Sequence, residues 1–327
     1  MFLRFTTLCL AVSVLCTSAM AFDLQGHRGA RGLMPENTLP AFAGALTIGV
    51  STLELDVGVT ADGHVVVSHD PALNPNLTRT ADGAWVEPYL LIKDLTLEAL
   101  QAYDVGQIKP GSRAASRFPD QQVVDGIQIP TLRQVFDLVT RSGNEMVRLN
   151  IETKINPGKP ENTVGPEAFV DALLAVITEQ SFEDRVTIQS FDWRTLQLVQ
   201  AKAPAIETVY LTAQQDWLDN VKSDGGKASP WSANFNLAQY DGNVPAMVKA
   251  AGGAVWSPFS GDVTNERIQQ AQALGLKVIP WTVNDSDAMG KLMDAGVDGI
   301  ISDYPDRLRA VMQDRNMDLP LATPVQP

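Results

Sequence analysis

Short apolar runs alternate with helix-length amphipathic stretches along most of the 327-residue chain. The runs that read as strands are Asp23–His27, Thr52–Val59, Met146–Glu152, Arg185–Gln189, Ile206–Leu211, Ala254–Ser257, Lys277–Trp281 and Gly299–Ser302. Apolar residues return at helical spacing in Leu39–Ile48, Leu132–Arg141, Pro166–Gln180, Trp193–Ala201, Asn265–Leu274, Asp285–Asp294 and Pro305–Gln313. Strands separated by helix-length segments predict a parallel sheet, because a parallel crossover needs a long connection. A (β/α)8 TIM barrel accommodates all eight strands around one core, whereas a doubly wound open sheet is usually shorter or divided.

Two stretches break the alternation. Residues 71–130 hold several turn signals and one weak helical pattern, Leu95–Tyr103, and are expected to be an insertion after the second strand. Residues 212–244 are polar, rich in Gly, Asn and Trp, and follow the fifth strand. Both leave from carboxyl ends of strands, where barrel enzymes build their sites, so each is a candidate for substrate selection or a plain structural cover. The barrel is expected over residues 22–315, with residues 316–327 as a tail.

The first 21 residues change the picture of where the chain works. A basic start at Arg4, an apolar stretch through Leu15 and Ala19-Met20-Ala21 fit a cleaved export signal, implying a periplasmic or secreted protein. Cys16 raises lipid attachment as an alternative, although Ser13-Val14-Leu15 is a poor signal for it. Both cysteines, Cys9 and Cys16, lie in this leader, so the remainder can form neither a disulfide nor a thiolate site. A formal charge of −13 argues against nucleic acid as a partner and gives an anionic ligand no general attraction. No later stretch approaches the ~20 apolar residues of a membrane span.

Four clusters carry chemistry. Gly26-His27-Arg28-Gly29 with Pro35-Glu36-Asn37-Thr38 joins the first strand to its helix, where free N–H groups, an Arg fork and a His suit phosphate. Asn37 or Thr38 would also cap that helix. In the second strand Glu54 and Asp56 are two apart and share a face, an arrangement that is costly without a positive partner. Asp62-Gly63 turns the chain back, which brings His69 over those carboxylates and leaves His64 on the surface. Glu152 and Lys154 end the third strand. Three carboxylates from neighbouring strands suit Ca2+ or Mg2+ more than zinc, with Lys154 beside the cation to hold an anion.

Taken in order, HRGARGLMPENT, LELDVGVTADGHVVVSHDP, IETK, IQSFD and ISDYPDRL resemble the successive signatures of the glycerophosphodiester phosphodiesterases, from about Gly26 to Leu308. The resemblance implies a metal-dependent enzyme converting glycerophosphodiesters such as glycerophosphocholine to glycerol 3-phosphate and an alcohol. It implies that His27 and His69 are the acid and base, that Glu54, Asp56 and Glu152 hold one divalent cation, and that Arg28 and Lys154 contact phosphate. Glu36 matches a position that supports the substrate site. Trp281 matches an aromatic residue of the pocket, with barrel packing as the competing reading. The alternatives are a phospholipase-type enzyme or lyase that stops at a cyclic phosphate, and an exported solute-binding protein.

Overall fold

The computed structural model describes residues 21–87 and 89–327. The expected leader therefore lies, apart from Ala21, outside the described residues.

In chain order the elements are β1 (Asp23–Gly26), α1 (Leu39–Ile48), β2 (Thr52–Val59), β3 (Val65–Val67), α2 (Leu97–Leu100), α3 (Arg113–Arg117), α4 (Leu132–Arg141) and β4 (Arg148–Thr153). There follow α5 (Pro166–Glu179), β5 (Val186–Ser190), α6 (Trp193–Lys202), β6 (Glu207–Thr212), β7 (Gln214–Gln215), β8 (Leu218–Asp219) and α7 (Val244–Ala250). The last are β9 (Val255–Pro258), α8 (Asn265–Ala273), β10 (Lys277–Val278), α9 (Ser286–Asp294), β11 (Gly299–Ser302) and α10 (Pro305–Asp314).

Eight of these strands pair in parallel in the order β10-β9-β6-β5-β4-β2-β1-β11. Asp298 N to Val278 O at 2.9 Å, Ile301 N to Pro280 O at 3.0 Å and Val283 N to Ile301 O at 3.0 Å link the two ends and close the barrel. The sequence reading expected β10 to run to Trp281. Pro280 lacks the N–H that a regular ladder needs, yet Ile279 N and Trp281 N still bond to β9 on either side of it. The helix α7 was not anticipated; it is short, starts with a Pro at its amino end and is followed by Gly252-Gly253.

Leu53, Leu55 and Val57 of β2 are buried against the helix layer, with Phe42 of α1 and Phe136 of α4 in the same core. The helix α4 earns its start from a capping box, Thr131 with Gln134, which satisfies donors at both ends of its first turn. Toward the barrel axis the interior divides. Val209, Val255, Ile279 and Ile301 form a small apolar cluster. On the β1–β5 side a hydrogen-bonded chain runs from Arg148 through Asp23, Gln25, Asn150 and Gln189 to Glu54, each link between 2.7 and 3.0 Å.

The strand β3 turns back antiparallel on β2, with Val57 opposite Val67. The segment after it has its own core of Val66, Leu73, Val86, Ile92, Leu100 and Ile129, and it returns at Pro130, whose carbonyl accepts from Val67 N. Among the described residues no helix is long and apolar enough to cross a membrane.

Candidate active site

The loop leaving β1 is held so tightly that two glycines are required. A side chain at Gly26 would meet the Gly29 carbonyl oxygen at 2.2 Å, and Gly29 itself has φ 85° with the Ala41 backbone 2.7 Å from where a Cβ would sit. Arg28 is also left-handed, φ 51°. That turn points its N–H at Glu54 Oε2, 2.8 Å away.

Glu54, Asp56 and Glu152 come together as the sequence reading expects. Asp56 lies opposite Glu152 in the β2–β4 ladder, and one oxygen from each of the three lies within 4.8 Å of the others. All three are buried. Asn37 Nδ2 donates to Asp56 Oδ2 at 2.9 Å, so Asn37 steadies the acid while Thr38 caps α1. Gln189 Nε2 donates to Glu54 Oε1 at 2.7 Å. Lys154 Nζ donates to Glu152 Oε1 at 2.8 Å. Asp56 Oδ1, with Lys154 Nζ 3.6 Å off, is buried without a hydrogen-bond partner.

Crowding sets the charges. Burial, reinforced by the neighbouring Asp56, pushes Glu54 well above the usual carboxylate range. Burial also lifts Glu152 to about 7 against the pull of Lys154. Asp56 suffers the same burial, but Arg28, His69 and Lys154 outweigh it and hold the group far below its ordinary value. A hard dication fits this set: three oxygen donors, one of them orphaned, and two carboxyls that ionise reluctantly for want of positive charge.

Both histidines face the same cavity of about 690 Å³, and each is gripped at Nδ1. Asp303, just after β11, has Oδ1 2.5 Å from His27 Nδ1. Asp70 Oδ1 lies 2.8 Å from His69 Nδ1 and Asp70 Oδ2 accepts from Asn74 at 2.7 Å. With Nδ1–H engaged by a carboxylate, Nε2 is the nitrogen left to exchange protons. Burial lowers His27 despite Asp303, and burial with Arg28 and Lys154 lowers His69 to about 4.

Arg28 and Lys154 line the cavity, and so does Trp281, whose indole is fixed by a 3.0 Å bond from Nε1 to Ser257 O. Glu36 stands behind this wall, accepting from Arg28 Nη1 at 2.6 Å and ion-paired with Arg31, which places it as a support for the guanidinium groups. His64 is on the surface, its side chain 52% exposed.

A family model described as "Glycerophosphoryl diester phosphodiesterase family" matches residues 27–307, which is most of the chain. The chain belongs to the glycerophosphoryl diester phosphodiesterase family. It is accordingly a phosphoric diester hydrolase acting on glycerophosphodiesters. A glycerophosphodiester phosphodiesterase of Caldanaerobacter subterraneus is 32% identical over 286 residues, covering 86% of this chain and 94% of that one. A crystal structure from Silicibacter pomeroyi, named for the same family, superposes with TM-score 0.80 at 34% identity over 92% of this chain and 96% of its own. An Oleispira antarctica phosphodiesterase, solved with the product sn-glycerol-3-phosphate, shares the fold at TM-score 0.64 and 23% identity, over 88% and 96% of the two chains.

Sequence reasoning missed Asp303, Gln189 and Asn284, whose Nδ2 donates to Asp303 Oδ2 at 2.7 Å, in this family member. Asp303 stood in the quoted ISDYPDRL, directly after a strand's carboxyl end, and that position was the available signal. Gln189 is the penultimate residue of β5. Also unassigned were Phe191, Trp217 and Phe259, which meet Trp281 or one another edge to face at 5.3 to 6.2 Å between centroids.

Proposed function

We propose that the chain hydrolyses glycerophosphodiesters, such as glycerophosphocholine, to glycerol 3-phosphate and an alcohol, with a divalent cation held by Glu54, Asp56 and Glu152. When bound, Ca2+ or Mg2+ would neutralise charge on the phosphoryl oxygens. Arg28 and Lys154 would share that task as fixed donors, preorganised by Glu36 and Glu152. One imidazole takes a proton at Nε2 from the attacking oxygen, and the other gives one to the departing oxygen. Asp303 and Asp70 hold both rings for these steps. Water can serve as the attacker and give glycerol 3-phosphate directly. If the neighbouring glycerol hydroxyl attacks, the alcohol leaves, a cyclic glycerol phosphate forms, and water activated at the same nitrogen then opens it to glycerol 3-phosphate.

The observation that carries the reading is the pair of His–Asp couples facing one cavity beside a three-carboxylate cluster. Binding alone would need neither couple. The Oleispira product complex supports glycerol phosphate as the retained half. Phosphorus NMR of glycerophosphocholine with Ca2+, Mg2+ or a chelator tests it. Cation-dependent glycerol 3-phosphate is expected, and each of His27→Ala and His69→Ala should lower turnover by about 100- to 10,000-fold. Undiminished rates in either variant, or with chelator, would end the assignment.

Export is part of the proposal and rests on Arg4, the apolar stretch and Ala19-Met20-Ala21. Mass spectrometry of the protein recovered outside the cytoplasm should find an amino terminus at Phe22. An uncleaved terminus would refute it.

A further inference from the structure

One wall of the active-site cavity is not used by the hydrolysis proposed above. Arg113 and Arg117 lie one helical turn apart on α3 and line the cavity together with His27 and Arg31. Both are exposed, and neither has a carboxylate within 4.0 Å among the described residues. In a chain with 38 acidic against 25 basic side chains, carboxylates to pair with arginine are not scarce.

The segment that carries them is fastened to the β1 loop. Phe118 is buried, with the Arg31 guanidinium 4.7 Å above its ring centroid. Gln121 Nε2 donates to Arg31 O at 2.7 Å, and Gln122 N donates to Leu33 O at 2.9 Å. These ties present α3 to the mouth as a fixed feature. The same cavity also has a lining of opposite character, Phe191, Trp217, Phe259 and Trp281. A phosphodiester whose two arms differ in the same sense fits between them: an uncharged arm against the rings and an acidic arm toward the arginines.

We propose that Arg113 and Arg117 form a second anion subsite, which receives a phosphate or carboxylate carried on the alcohol arm of the substrate. The enzyme then favours glycerophosphodiesters with acidic headgroups. Guanidinium forks suit both oxyanions, and the tied segment holds the two arginines at the mouth of the same cavity. The inference rests on the reading of this cavity as the phosphodiester site.

The test compares kcat/KM for glycerophosphocholine, glycerophosphoserine and glycerophosphoinositol 4-phosphate. It uses the wild type, Arg113→Gln/Arg117→Gln, and Lys249→Gln/Lys291→Gln, which removes the same charge from the outer helices α7 and α9. The arginine variant should lose about 10- to 100-fold in the ratio of acidic to choline substrate, and the lysine variant should keep the wild-type ratio. A larger loss with glycerophosphoinositol 4-phosphate than with glycerophosphoserine marks phosphate as the group received, and the reverse marks carboxylate. An unchanged ratio in the arginine variant, or an equal fall in both variants, overturns the subsite. An unchanged ratio with lost binding to phosphatidylglycerol vesicles would mean that the arginines face a membrane, and it overturns the subsite too. Failure of the wild type to cleave any of the three substrates with Ca2+ or Mg2+ sinks the underlying site reading instead, so the two failures are distinguishable.

Discussion

Asp303→Asn isolates what the carboxylate does for His27. Asp303 is buried, its Oδ1 is 2.5 Å from His27 Nδ1, and its Oδ2 accepts from Asn284 Nδ2 at 2.7 Å. Asparagine keeps the volume, but the charge is gone and an amide N–H can now face Nδ1. The ring then favours the tautomer with its proton on Nε2, and the imidazolium form that either role passes through loses its carboxylate partner. A hydrogen bond to a charged group contributes about 1.5–3 kcal/mol. At about 1.4 kcal/mol per decade this becomes a loss of about 10- to 150-fold in kcat. Because both carboxylate oxygens of Asp303 are engaged, by His27 and by Asn284, KM should stay near the wild-type value. The pH profile adds a second readout. Burial already lowers His27 and Asp303 opposes it, so removing the carboxylate moves the His27 limb to lower pH. Steady-state kinetics on glycerophosphocholine across pH, with a melting curve to confirm folding, reads all three. An unchanged kcat with an unmoved limb would refute the positioning role.

Asp56→Asn should abolish calorimetric binding of Mg2+ or Ca2+ while the protein stays folded, because it removes the one buried carboxylate oxygen without a hydrogen-bond partner among the described residues; retained affinity would place the cation elsewhere. Glu152, raised from 4.5 to about 7 by burial, holds a proton in the folded state that the unfolded chain has lost. Its contribution to stability is therefore present at low pH and lost as pH rises through about 7. The cation-free melting temperature should fall over that interval, and saturating cation should remove the fall; a flat cation-free profile would contradict this. Gln189→Leu leaves Glu54 Oε1 without its 2.7 Å donor and should weaken cation binding by about 10- to 100-fold, measured by the same calorimetry. Phe136→Ala, in the core between α4 and the sheet, should cost about 3–5 kcal/mol in denaturant unfolding with kcat unchanged in the surviving folded fraction.

The barrel strands and most of their helices were legible because each buries a repeating face. The period-two alternation of β2 separates Leu53, Leu55 and Val57 from Glu54 and Asp56, and that single pattern encodes both the helix-facing core and the carboxylate pair. His69 was legible through Asp62-Gly63, which dictates an antiparallel return; Ser68 N bonding to Asp56 O shows how closely the chain comes back. What sequence could not show is contact across the closed barrel. Asp303 and His27 are 276 positions apart and meet only because β11 pairs with β1. Gln189 reaches Glu54 across the barrel interior from a strand that does not pair with β2.

The same closure explains why the interior is polar on one side. Three converging carboxylates would be intolerable beside a wholly apolar lumen, since each buried charge needs donors. The chain from Arg148 through Asp23, Gln25, Asn150 and Gln189 delivers an N–H to Glu54 and has its own charge balanced at the opposite end. Val209, Val255, Ile279 and Ile301 fill the side that carries no catalytic acid. Polarity inside the barrel thus follows the acids that would hold the cation. A strand residue that reads as a misplaced polar in an apolar run, such as Gln25 or Asn150, is a support for the site several residues above it.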